Sequence, residues 1–306
     1  MAERVASAGG LGYRWRLAMI WLAVSARLPA RWFQSPPPPE SRRAARTGRL
    51  HIEIVSHCWQ YSHLLAYQLS SLAEDPPRDV LVTMTVFHSE EDQDTVRLLE
   101  YFAGLDVPNV EWNRQSRPKE TVFRRAIGRN EAALASSADW VWFIDCDVIL
   151  REGCLDALGR ELQGRRDSLV YPTHEFVSPV YEPGDPALEA AREPDLVDIE
   201  PGDFKRRDYT RAVGAMQITH GDVARACGYC RDIGVFQEPT DRFAKAREDR
   251  AFRWLLGSEG VPVEVPGIYR IRHQAKGRYH EEGLHSRLRT QVRKLQLLLR
   301  EGSSRQ

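Results

Sequence analysis

Asp145-Cys146-Asp147 follows directly on the apolar run Trp140-Val141-Trp142-Phe143-Ile144. Residues one and three of an extended segment point the same way, so both carboxylates can face one crevice. Two carboxylates aimed together repel unless a cation sits between them or one takes up a proton. A hard divalent ion with oxygen ligands, Mn²⁺ or Mg²⁺, removes that repulsion and leaves positions open for diphosphate oxygens. The bland reading is a solvated turn, since paired acids are common at strand ends. Later in the chain, His273 stands among Arg270, Arg272, Lys276 and Arg278. Those cations supply local positive charge for a diphosphate, and an imidazole nitrogen is acceptable to Mn²⁺.

These groups need elements to position them. Ile52, Ile54 and Val55 mark a first strand over 51–57. Leu64, Leu65, Leu69 and Leu72 fall at helical spacing, and Asp75-Pro76-Pro77 ends that helix. Val80 to Phe87 reads as a second strand, Thr95 to Phe102 as a helix, and Val110 to Trp112 as a short strand. A helix is expected over 119–137, with Val122, Phe123, Ala126, Ile127, Ala133 and Leu134 on one face and Arg124, Arg125 and Arg129 elsewhere. The unalternating run 140–144 suits a strand buried on both faces of a mostly parallel sheet. Strands and helices alternating at this pitch mean an α/β fold, with ligands beyond the carboxyl ends of the strands. From Glu175 to Arg211 the composition turns to prolines, glycines and acids, and a long insert or loop near the site is expected. A strand over 212–219 and a helix over 247–256 follow.

The 306 residues are 42% hydrophobic, enough for one well-packed core. Basic and acidic residues balance at 43 each, so no global field recruits nucleic acid. Five cysteines do not read as a disulfide framework, and the Cys227–Cys230 spacing lacks the second pair a structural zinc would need. A reducing, cytoplasmic setting is the simpler expectation. Leu17 to Val24, flanked by Arg14, Arg16, Arg27 and Arg31, is far shorter than the roughly 20 residues of a spanning helix. It reads either as a signal-peptide core, as a segment lying on the inner face of a membrane, or as a helix packed on the main domain. Pro36 to Pro39 form a stiff linker, which sets expected boundaries of 1–49, 50–279 and 280–306. The last segment carries Leu288, Val292, Leu295 and Leu299 among basic residues, an amphipathic helix for its own domain or for a membrane surface.

Three blocks then carry a resemblance. Arg129-Asn130 leads through the buried strand to Asp145-Cys146-Asp147; Gly214-Ala215-Met216-Gln217-Ile218 precedes Cys227-Gly228-Tyr229; and Glu248-Asp249 opens a helix. In that order they resemble family 2 glycosyltransferases of the GT-A type, over about two-thirds of the chain. The resemblance implies a GT-A fold, with a Rossmann-like nucleotide-binding half and an acceptor half. It implies transfer of a sugar, with inversion, from a nucleotide-diphosphate donor to the hydroxyl of an unidentified glycan, lipid or small molecule. By the same resemblance Asp249 is the general base, with Glu248 orienting or binding the acceptor. A carboxylate with a like-charged neighbour in a shielded cleft suits that task, although acids in a first turn also simply stabilise a helix dipole. Asp147 would ligate the metal, Asp145 would contact the ribose or the metal through water, and His273 would be a third ligand. Ser56 and His57 after the first strand, Asp92 after the second, and Arg125 and Arg129 complete the expected nucleotide-sugar grip. The stretch Phe87-His88-Ser89-Glu90-Glu91-Asp92 departs from the family's acidic base-reading signature, so UDP is expected only on its frequency as a donor. A nucleotidyltransferase would show a glycine-rich loop after the first strand, which Ser56 to Ser62 lacks; a non-catalytic relative and a retaining enzyme are the remaining alternatives.

Overall fold

The computed structural model describes residues 17–274 apart from 19, 23 and 242–246. The expected C-terminal helix, together with Lys276 and Arg278, lies outside the described residues.

Apolar residues without alternation build the centre of the main sheet. Strand β1 (His51–His57) runs parallel to β2 (Leu81–His88), with His51 opposite Leu81 and His57 opposite Phe87. β2 in turn pairs in parallel with β3 (Val110–Ser116). On its other side β1 pairs in parallel with β4 (Trp140–Phe143), all four of whose residues are buried. Helices α1 (Ser62–Glu74), α2 (Gln93–Ala103) and α3 (Arg125–Ala135) make the crossovers that parallel pairing requires. Asp75 follows α1, and its carboxylate accepts a hydrogen bond from the Gly153 amide at 2.7 Å.

Two sheets share the chain at the point where chemistry is expected. The seven-stranded sheet has the order β3-β2-β1-β4-β9-β6-β10, adding β6 (Leu169–Pro172), β9 (Gln217–His220) and β10 (Val261–Val263). Only β9 runs against its neighbours, so the class is α/β with a mostly parallel sheet flanked by helices, as the alternation predicts. A four-stranded sheet of order β5-β11-β7-β8 contains β5 (Val148–Leu150), β7 (His174–Tyr181), β8 (Lys205–Asp208) and β11 (Ile268–His273). β4 ends at Phe143 and β5 begins at Val148, so Asp145-Cys146-Asp147 is the step from one sheet to the other. Helices α4 (Cys154–Glu161), α5 (Gly221–Cys227) and α6 (Glu248–Leu256) complete the frame.

One expectation changes, and two others gain detail. The helix expected over 119–137 is broken: a turn at Lys119–Val122 precedes α3, and Arg124 at the break has φ −99° and ψ 75°. The break rotates the downstream face, so Arg129 is buried with Ala126, Ala132 and Ala133 while Leu134 is exposed. The stretch 175–211 is an ordered insert whose ends are strands: β7 and β8 pair antiparallel, Glu175 opposite Arg207. Its prolines and acids masked the strands because neither end of the insert alternates cleanly. Residues 43–48, expected as linker, are strapped to the domain through Arg43 on the Arg166 carbonyl (2.6 Å), Ala44 on Asp222 (2.8 Å) and Gly48 on Gln163 (2.8 Å).

Candidate functional site

Asp145 is the hub. Arg125 and Arg129 lie one turn apart on α3 and so face the same way. Arg125 hydrogen-bonds Asp145 Oδ1, and Arg129 Nη2 reaches the same oxygen at 3.4 Å. From α6, Glu248 Oε1 meets Arg125 Nε at 3.4 Å and Arg129 Nη1 at 3.7 Å. Glu248 is therefore held by two cations, so the like-charge arrangement anticipated for the Glu248-Asp249 pair is not what this side chain experiences.

The three sequence blocks meet through one chain of hydrogen bonds. Arg129 Nη1 donates to the Tyr229 hydroxyl at 3.0 Å, that hydroxyl donates to Gln217 Oε1 at 2.9 Å, and Gln217 Nε2 donates to the Asp249 carbonyl at 3.0 Å. Asn130 Oδ1 accepts the Tyr229 amide at 3.0 Å. Gly228 before it has φ +64°, and a Cβ there would stand 2.1 Å from Asn130 Oδ1. Only glycine suits that turn, which ties Gly228-Tyr229 to Arg129-Asn130 in physical terms. The Asp249 side chain accepts from the Gly214 amide at 3.4 Å and faces Arg253 Nη1 at 3.6 Å. It keeps 32% of its side-chain surface exposed, against 6% for Glu248. Of the two acids, Asp249 is the one a ligand can reach.

A third guanidinium bridges Asp145 and Asp147. Register places Arg270 of β11 opposite Val148, next to Asp147, and its Nη1 lies 3.6 Å from Asp145 Oδ2 and 3.5 Å from Asp147 Oδ1. Its Nε donates to the fully buried Glu175 at 2.9 Å, and the Tyr209 hydroxyl bonds the other Glu175 oxygen. Burial alone would lower the pKa of Arg270, but Glu175, Asp147 and Asp145 raise it well above its ordinary value. The cation that relieves carboxylate repulsion is thus a guanidinium. His273, at the end of β11, packs edge-on to Tyr61 at 4.9 Å with His63 at 6.5 Å. Among the described residues no three His, Cys, Asp or Glu side chains come together in a way that could hold a metal ion. Asp145, Asp147 and His273 therefore do not form such a group with one another in this structure. Glu175 and Tyr209 escape sequence reading because an acid in an acid-rich stretch carries no mark of burial.

The residues expected to grip the nucleotide divide. Ser56 and His57 are buried at the carboxyl end of β1. The His57 ring stacks on Phe87 at 4.9 Å, and Gly128 of α3 lies so close that a Cβ would be 2.4 Å from Nε2. Burial, then Arg129 and Arg125, push its pKa well below the usual value. Asp92 caps α2, accepting from Thr95 Oγ1 at 2.7 Å and from the Gln60 amide at 2.5 Å. It shapes the turn after β1. A polar groove of about 280 Å³ lies elsewhere, lined by His51, Glu53, Thr83, Thr85 and Glu111 among others, and takes in none of these candidates. All five cysteines are buried free thiols.

The His57 environment has a pH consequence. The folded pKa is depressed, so below about pH 6.5 the unfolded chain takes up a proton that the folded chain does not. Stability is expected to fall as pH drops, by about 1.4 kcal/mol per unit from this group. Denaturant unfolding of wild type and His57→Asn between pH 7 and 5 measures it. The variant should show the shallower slope; equal slopes would mean that His57 is charged in the fold.

No family model matches the chain, and no curated protein matches it. Among solved structures it is similar to a mannosyltransferase of Pyrobaculum calidifontis, PcManGT, in complex with GDP-Man and Mn²⁺. Identity is 17%, 90% of this chain covers 70% of that one, and the TM-score is 0.43. It is also similar to residues 1–349 of S. aureus TarS in complex with UDP, at 11% identity over 72% of this chain and 60% of that one, TM-score 0.44. The TarS complex with UDP-GlcNAc gives 12% identity, 78% and 60% coverage, and a TM-score of 0.43. The chain thus spans 60% of TarS 1–349 in both complexes.

Proposed function

We propose that the chain is an inverting GT-A glycosyltransferase that moves a sugar from a nucleoside-diphosphate donor to an acceptor hydroxyl. The observation that supports this reading is that the three blocks are joined through Arg129, which itself reaches Asp145 at the carboxyl end of β4, where an open α/β sheet offers its crevice. Asp249 takes the proton of the acceptor hydroxyl as its oxygen attacks the anomeric carbon. The bond from that carbon to the diphosphate oxygen breaks, and the electron pair leaves with the diphosphate. Arg125, whose side chain keeps 29% of its surface exposed, faces the developing charge as a preorganised donor, and the buried Arg129 fixes Asp145 behind it. Asp145 holds both guanidiniums in place, and Glu248 holds them from the side of α6.

Single displacement fixes the stereochemistry. Proton NMR of the sugar released during slow transfer to water from an α-linked nucleotide sugar should show the β-anomer forming first. First appearance of the α-anomer would remove Asp249 as the base of a single displacement.

A further inference from the structure

Large apolar side chains normally turn inward, and an exposed stripe of them needs a partner. The described residues between 17 and 25 are helical. Leu17, Ile20, Trp21 and Val24 recur at helical spacing and are 47%, 61%, 53% and 57% exposed, while Leu22 and Ser25 are buried. Leu28 and Trp32 extend the exposed apolar surface. The segment is nonetheless fixed to the protein. Trp254 Nε1 of α6 donates to the Leu28 carbonyl at 2.9 Å, Phe33 packs on Trp254 at 5.1 Å, and Trp21 meets Phe33 edge-on at 5.5 Å. The apolar side faces outward while its back is bonded to the helix that begins with Glu248-Asp249.

Charge narrows the occupant. From Arg4 to Pro39 the sequence carries Arg4, Arg14, Arg16, Arg27 and Arg31 and no acid; Arg27 and Arg31 are exposed beside the stripe. A second copy of the same stripe would bring like charges together, which disfavours pairing. An anionic lipid surface meets both demands: it accepts apolar side chains below the headgroups, favours tryptophan at that depth and attracts arginine. No helix among the described residues is long and apolar enough to cross a membrane. We propose that residues 17–32 dock this protein on the surface of an anionic bilayer, lying in the headgroup layer with Ile20, Trp21, Val24 and Trp32 inserted. The docking holds α6 at a set height above the lipid.

Sedimentation of the full chain with vesicles tests this, using phosphatidylcholine alone and phosphatidylcholine mixed with phosphatidylglycerol. Wild type should bind the anionic vesicles, with affinity about tenfold or more above that for the neutral ones. Ile20→Ser/Trp21→Ser/Val24→Ser should lose at least about tenfold of that affinity, since these three exposed side chains supply the insertion. Arg27→Gln/Arg31→Gln should lose the preference for anionic lipid. Quenching of wild-type tryptophan fluorescence by lipids brominated near the headgroup is expected as well, and needs no variant to fold. Wild type that ignores both vesicles, or a triple variant that binds them equally well, overturns the proposal. So does a wild-type dimer that the triple substitution makes monomeric while neither protein binds lipid; the stripe would then be an interface between copies.

Discussion

Asp249→Asn is expected to lower the transfer rate by about 10²–10⁴-fold, the range a positioned general base contributes, with donor binding unchanged. The substitution keeps the shape of the side chain. Asparagine can still accept from the Gly214 amide, and Arg253 retains the Ala212 carbonyl at 2.7 Å and Glu259 at 2.9 Å. The start of α6 also keeps the bond from Gln217 to the Asp249 carbonyl. Loss of rate therefore reports loss of a proton acceptor rather than loss of fold. Nucleoside diphosphate release under saturating donor, beside a thermal unfolding curve, measures both. Full turnover in the variant would leave Asp249 as a helix-end acid and nothing more.

Arg270→Met is expected to have the largest effect on stability, about 3–5 kcal/mol, the cost of leaving buried charge without its partner. Glu175 is fully buried and Asp147 nearly so, and Arg270 is the cation between them. Arg207 reaches Glu175 only at 3.9 Å from an exposed position, so it offsets little of the loss. The pair Glu175→Gln/Arg270→Met should be more stable than Arg270→Met alone, because neutralising Glu175 removes half of the problem. Urea unfolding of the two single variants and the double variant gives the coupling. A single Arg270→Met variant as stable as wild type would show that the guanidinium does not carry the charge of the Asp145–Asp147 step.

Much of this was legible in residue order. The strand Trp140–Phe143 announces its burial by its unbroken apolar run, and the aspartates after it fall beyond the carboxyl end of a central strand by that fact alone. Arg129, Tyr229, Gln217 and Asp249 lie in three separate blocks, and their order predicts a common site before any contact is known. The second sheet was not legible. Lys205–Asp208 is a strand of four exposed, charged residues that lacks the alternation by which strands are recognised. Its partner β7 brings Glu175 to Arg270, which thereby links a buried acid of the second sheet to Asp145 and Asp147. The N-terminal helix was half legible: composition gives an apolar run among arginines, but which side turns outward depends on the Trp254–Leu28 bond 226 residues apart.

The most direct test of a nucleotide-sugar site at Asp145 is thermal unfolding of wild type and Arg125→Met with UDP, GDP, CDP and ADP. Mg²⁺ and Mn²⁺ are supplied throughout, so that no cation requirement hides binding. One diphosphate should stabilise wild type, by about 2.7 kcal/mol at a hundredfold excess over its Kd, and should lose most of that effect in the variant. A wild type indifferent to all four would contradict the account.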